Sequence, residues 1–240
     1  MLMNGPIEKA RRYVEAHPKL SAPSIEKDTD ISAGPCITIS RETGARADVI
    51  SEIIVQLFER HKRNNPVPWT VFDKNLIEKV IQDHHLPHSL SKIMAEKKYS
   101  AIRSIMVELL GGQPPIFNLI HKTTQTILEL AQIGNVIILD RGANIITAKL
   151  NNSFHVRLVA PLEYRIDHVQ ELYNYDRQKA IDFIKHEDVD RRDFVATYFH
   201  KDVSDPLLYN MIINTHSNDD KVIAEIIVNA VLKQFPDFFP

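Results

Sequence analysis

Residues 35–50 read PCITISRETGARADVI, and the order of residue types in this stretch decides the fold. Cys36 to Ser40 is a short, β-branched apolar run, the composition of a strand buried on both faces. From Asp48 to Arg60, Val49, Ile50, Ile53, Ile54, Leu57 and Phe58 recur at helical spacing and predict an amphipathic helix. A strand that passes through a short turn directly into a helix opens a parallel α/β unit. Its turn lies beyond the carboxyl end of the strand, where free backbone N–H groups and the positive end of the helix dipole favour an anion.

Upstream, Ile7 to Ala16 can form a short helix with Ile7, Ala10, Tyr13 and Val14 on one face, and His17, Pro18 and the run SAPSIEKDTDISAGP read as an irregular connector. Residues 1–34 are therefore expected to be an appendage that packs on the main domain, a partner or a second copy, and residues 35–240 a single α/β domain. Downstream, Trp69 to Phe72 is a second strand closed by Asp73. A helical region over about 74–134 follows, with apolar faces Leu76, Ile77, Val80, Ile81 and Ile102, Ile105, Met106, Leu109, and a break at Gly111, Gly112, Pro114 and Pro115. A long helix over 116–133 ends at Gly134. Strands return at 136–139 (VIIL), 154–159 (FHVRLV) and 211–213, with helices over 162–173, 177–198 with a break near Asp188, and 219–232. Five strands separated by helices predict a three-layer, parallel five-stranded sheet with right-handed crossovers.

Composition limits the function classes. The 240 residues carry 29 Lys+Arg against 31 Asp+Glu, a formal net charge of -2, which speaks against a strongly basic nucleic-acid binder. The single Cys36 precludes an intramolecular disulfide and suits a cytoplasmic protein; with no nearby cation it reads as a packed apolar residue. Neither a signal peptide nor an apolar run of membrane-spanning length is seen, so no membrane association is expected.

In an open parallel sheet the ligand crevice lies beyond the carboxyl ends of the strands. After the first strand stand Ser40, Arg41, Gly44, Ala45 and Arg46, the candidate phosphate-binding turn, although it has one glycine and no lysine where a Walker A loop has Gly-x-x-x-x-Gly-Lys-[Ser/Thr]. After the third stands Asp140-Arg141-Gly142-Ala143-Asn144: Arg141 can hold a phosphate bidentately and Asp140 can approach a magnesium ion or a sugar hydroxyl, or the two can pair. Asp73 holds the equivalent place after the second strand and also suits a helix N-cap. The run KHEDVDRR (185–192) reads as a solvated helix face or as a lid whose Arg191 and Arg192 close over a transferred phosphoryl group. His84 and His88 have helical pair spacing, but Pro87 interrupts it and no carboxylate completes a set, so no metal site is expected. The Gly-x-Ser-x-Gly and Gly-x-Gly-x-x-Gly signatures are absent.

The strings ITISRETGARADVI, VFDKNLI, VIILDRGANII, HVRLVAPLEYRI, DVDRRDF and DPLLYNMIINT, in this order and spacing, resemble the cytidylate-kinase-like family of the P-loop nucleoside monophosphate kinases, over about 37–232. The resemblance implies a kinase that moves the γ-phosphoryl group of ATP, with Mg²⁺, to CMP or a related monophosphate. It implies a phosphate loop after the first strand, a helical monophosphate-binding region, and an arginine-bearing lid over about 176–204. In it Arg46 would replace the missing lysine, Arg141 would hold the acceptor phosphate, and Arg191 and Arg192 would close the lid, with Asp188 matching the lid pattern D-x-x-R-x-x-F. The chain departs where such proteins usually read ISRxxGSGGxxIA and GRGAN: Arg46 and Ala47 stand for two glycines, Asp48 for a basic residue and Asp140 for a glycine. The alternative reading is a catalytically degenerate binding or scaffold protein. No motif names the base-recognising residues, Arg103 and Gln113 being candidates only as polar residues among apolar ones.

Overall fold

In the computed structural model the described residues are 12–13, 34–60, 68–73, 105–106, 109 and 118–239. Five strands form one sheet: β1 Cys36–Arg41, β2 Thr70–Phe72, β3 Val136–Leu139, β4 Ser153–Val159 and β5 Met211–Asn214. Every pair is parallel and the order is β2-β3-β1-β4-β5, so β1 is central and its carboxyl end opens between those of β3 and β4. The helices are α1 Ala47–Arg60, α2 Asn118–Ile133, α3 Ala143–Ile146, α4 Leu162–Tyr173, α5 Arg177–Phe199 and α6 Asp220–Gln234.

Alternation along β1 distributes its side chains between two layers. Ile37 and Ile39 face a core built with Ile50, Ile54 and Phe58 of α1 and Ile223, Ile227 and Val231 of α6. Cys36 faces the opposite layer, where Ile127, Leu128 and Ala131 of α2, Ile146 of α3 and Val195 and Phe199 of α5 meet Val136 and Ile138. Fully burying each such aliphatic side chain contributes roughly 1.5–3 kcal/mol, which is why the helical stripe of α1 is legible in the sequence. Cys36 is fully buried, and burial pushes its thiol up to about 12, so it is a packing residue. Gly134 ends α2 at φ +83, its N–H donating to Leu130 O at 3.0 Å. Tyr13 is buried against Phe72 and its hydroxyl donates to Gly134 O. The rest of the expected N-terminal helix and connector, the helix after Asp73, His84, His85, His88, Arg103 and Gln113 lie outside the described residues.

One expected feature is corrected. The lid helix has no break near Asp188: α5 is continuous for 23 residues, capped by Asp176, whose side chain accepts from Lys179 N–H. Opposite charges in the run meet at i,i+3 and i,i+4 spacing, as Arg191 does with Asp188 and Glu187, and a charge run without Pro or Gly has nothing that interrupts the helix. Among the described residues no helix is long and apolar enough to cross a membrane.

Candidate active site

A cleft of about 740 Å³ opens over the carboxyl ends of β1 and β3, with α4 and α5 as its far wall. Ser40, Arg41, Gly44, Arg46, Asp73, Asp140, Arg141 and Arg191 all line it. Residues far apart in sequence, Arg141 and Arg191 among them, thus share one cavity, because α5 folds back across the sheet end.

The turn after β1 commits several of its hydrogen-bond donors to internal partners. Gly44 stands at φ +86, and a Cβ there would lie 2.6 Å from Arg165 O, so glycine is required. Arg46 also has positive φ, +58, at one of the positions where the resemblance expects glycine. Thr43 donates both its N–H (2.8 Å) and its hydroxyl (2.6 Å) to Asp188 Oδ1 of α5. Asp188 Oδ2 accepts from Arg165 Nη1 at 2.6 Å, and that nitrogen also reaches Thr43 O. Ala45 is buried and its N–H closes the turn onto Glu42 O at 3.1 Å, so this amide is used internally rather than toward the cleft. Glu42 Oε2 in turn accepts from Ala160 N–H beyond β4.

Arg46 reaches toward α6. Its Nε lies 2.9 and 2.8 Å from the two Asp220 oxygens, its Nη2 lies 2.7 Å from Oδ2, and Nη1 is 3.2 Å from His168 Nδ1. The hydrogen bond to Asp220 raises the Arg46 pKa further, while burial, then the Arg46 charge, lowers that of His168. The structure therefore engages the expected lysine surrogate in a fixed ion pair between the cleft and a shallower neighbouring cavity lined by Tyr164 and Asp220.

The turn after β3 carries three consecutive left-handed residues, Asp140 (φ 63), Arg141 (φ 57) and Gly142 (φ 67). Asp140 does not pair with its neighbour. Its Oδ2 lies 2.9 Å from Arg191 Nε and 3.3 Å from Arg41 Nη1. The Arg141 guanidinium lies over the Phe194 ring, 5.3 Å from its centre. Arg191 also donates to Thr43 Oγ1 and to Glu187 Oε2. Burial alone would lower the Arg191 pKa, but the Asp140 charge and hydrogen bond together with the Glu187 and Asp188 charges outweigh it, and the net shift is upward. Arg192 stands apart: its side chain is 59% exposed, 3.8 Å from Asp193, and does not line the cleft, because successive helical residues point about 100° apart. Asp188 is bonded to Thr43 of the loop and to Arg165 and is not among the residues that line the cleft.

Three charged residues escaped the sequence reading. Arg157 is buried in β4, donates to Ser40 Oγ at 2.9 Å and lies over the Tyr209 ring; a guanidinium amid the apolar run FHVRLV is the signal that marks it. Arg165, in the quoted string APLEYRI, ties the loop to α5 through Asp188. Asp220 carried no local signal beyond its place at a helix start.

A family model described as the cytidylate kinase-like family matches residues 36–217. Among solved structures, an uncharacterized protein from Eubacterium ventriosum is 14% identical with a TM-score of 0.55, covering 82% of this chain and 98% of its own. A shikimate kinase from Acinetobacter baumannii in complex with shikimate is 13% identical (TM-score 0.45, 84% and 95% covered), and one from Bacteroides thetaiotaomicron is 14% identical (TM-score 0.42, 84% and 98% covered). No curated protein matches the chain.

Proposed function

The chain belongs to the cytidylate kinase-like family, and from that premise we propose that its cleft binds a nucleoside monophosphate, CMP or a close relative, as a site for recognition rather than rapid turnover. One observation carries the reading: Arg41, Arg141 and Arg191, from three separate elements, line a single cleft over the sheet end. Guanidinium groups on a rigid framework suit the acceptor phosphate, because planar forks match its oxygens with charge-assisted hydrogen bonds.

The donor half fits less well. The phosphates of magnesium-bound ATP would need the loop donors, but the Thr43 N–H and hydroxyl are taken by Asp188 and Arg46 is taken by Asp220. Asp48, exposed at the start of α1, adds repulsion. Among the described residues six carboxylates and four arginines line the cleft, so a triphosphate meets a formal excess of negative charge. Family membership keeps a second reading in view, transfer of the ATP γ-phosphoryl group to CMP with the loop rearranged.

A thermal-shift and calorimetric panel of nucleoside monophosphates, with and without Mg²⁺ and ATP, tests both. A ligand at a hundred times its dissociation constant stabilises the native state by about 2.7 kcal/mol. Binding of a monophosphate without ADP formation supports the recognition site. Monophosphate-dependent ADP formation establishes the kinase reading instead, and the absence of binding by any monophosphate removes both.

A further inference from the structure

Asp140 occupies a conformation that residues with a Cβ usually avoid. Left-handed placement strains a non-glycine residue, least for Asp and Asn, and here Arg141 shares it. Its backbone is fixed beside β1, the Asp140 N–H donating to Ile39 O at 3.0 Å. From that anchor a single carboxylate oxygen is shared between Arg191 Nε and Arg41 Nη1.

The sharing is incomplete. Arg41 Nη1 is closed off from solvent and, although 3.3 Å from Asp140, makes no hydrogen bond of adequate geometry. Buried donors are nearly always paired, so the cleft wall holds a donor that its ion-pair partner Asp140 leaves without a well-formed hydrogen bond. A short side chain tethered at the backbone cannot turn to satisfy both guanidinium groups, whereas a phosphate presents three oxygens and is free to orient. Arg191 does not depend on Asp140 for its position, since Thr43 Oγ1 and Glu187 hold the same guanidinium.

We propose that Asp140 is a built-in substitute for a ligand anion: its carboxylate fills a phosphate seat made by Arg41 and Arg191, and a phosphate-bearing ligand binds by displacing it. This rests on the reading that the cleft takes a phosphorylated ligand, and it adds which arginines form the seat and which residue sets its affinity. Strongly charged phosphates displace the carboxylate; weakly charged or neutral molecules do not.

Calorimetric titration of the full chain with inorganic pyrophosphate tests the seat without involving a base. Asp140→Gly, whose backbone suits φ 63, should bind pyrophosphate at least about tenfold more tightly than wild type, because a charge-assisted contact is no longer contested. Asp140→Asn, which keeps the side-chain volume, should fall between them, and it decides the matter alone if the glycine variant does not fold. Adding Arg41→Gln to Asp140→Gly should remove the gain. If neither Asp140 variant binds pyrophosphate more tightly than wild type, including the case of no binding at all, the proposal is overturned. A pyrophosphate gain without CMP binding in any variant leaves the seat standing and removes the monophosphate reading. CMP binding that is indifferent to Asp140 does the reverse.

Discussion

The turns after β1 and β3 each replace an expected glycine with a charged residue, and each retains the left-handed backbone, φ 58 at Arg46 and φ 63 at Asp140. Their side chains then diverge. Arg46 is drawn away to Asp220 at the foot of α6, which withdraws a cation from the loop. Asp140 is drawn into the cleft between Arg191 and Arg41, which adds an anion to the second turn. The same kind of substitution therefore removes a free cation from the first turn and adds an anion to the second. What a departure from a glycine does depends less on the lost conformational freedom than on the partner its new side chain finds.

The largest expected effect separates the two regions directly. Arg191→Ala should lower the affinity for a nucleoside monophosphate by about ten- to a hundredfold, the range of a lost charge-assisted contact, whereas Arg46→Ala should change it by less than about threefold. Calorimetry decides it; equal losses from both variants would mean that the first turn also contacts the ligand.

A second measurement breaks the link between the regions. Asp188→Ala leaves the Thr43 donors and the mostly buried Arg165 without their shared acceptor, and should destabilise the protein by about 2 kcal/mol in a denaturant titration. An unchanged midpoint would show that α5 does not hold the loop.

A pH series probes the floor under the first turn. His155, bonded to Thr38 of β1 at 2.8 Å, has its pKa lowered to about 4 by burial, against an ordinary 6.5. The native ring stays neutral while the unfolded chain takes up a proton, so stability should fall as pH drops from about 6.5 to 4, by on the order of 3 kcal/mol. His155→Gln should flatten that slope; parallel curves for the two proteins would assign the titration elsewhere.

The smallest effect concerns the strained loop residue. Arg46→Gly relieves the left-handed strain but loses the Asp220 pair, and since these are opposed and each about 1 kcal/mol or a little more, the net change in stability should stay within about 1 kcal/mol. A loss well above that would make the Arg46–Asp220 pair a principal tie between α1 and α6.

Much of this architecture is legible locally. The strand VIIL and the helix over 162–173 coincide with β3 and α4 residue for residue, because a buried strand and an amphipathic helix each leave a periodic apolar pattern. The α5 break failed for the complementary reason, since charge density says nothing about helix continuity when no Pro or Gly is present. In the site, Arg41, Arg141 and Arg191 were identifiable because motif position and strand ends mark the crevice. Arg192 was not separable from Arg191 without the helical phase of α5, and Arg165 and Asp220 were not identifiable as the partners of Asp188 and Arg46.

By itself the sequence determined the α/β class, the alternation of strands and helices and the set of cationic residues at the strand ends, because these follow from local periodicity and turn chemistry. Only the tertiary structure decided which carboxylate neutralises which arginine. Asp140, Asp188 and Asp220 are distant in the chain from Arg41, Arg165 and Arg46, and ion pairing depends on separations of a few ångströms that no local pattern encodes.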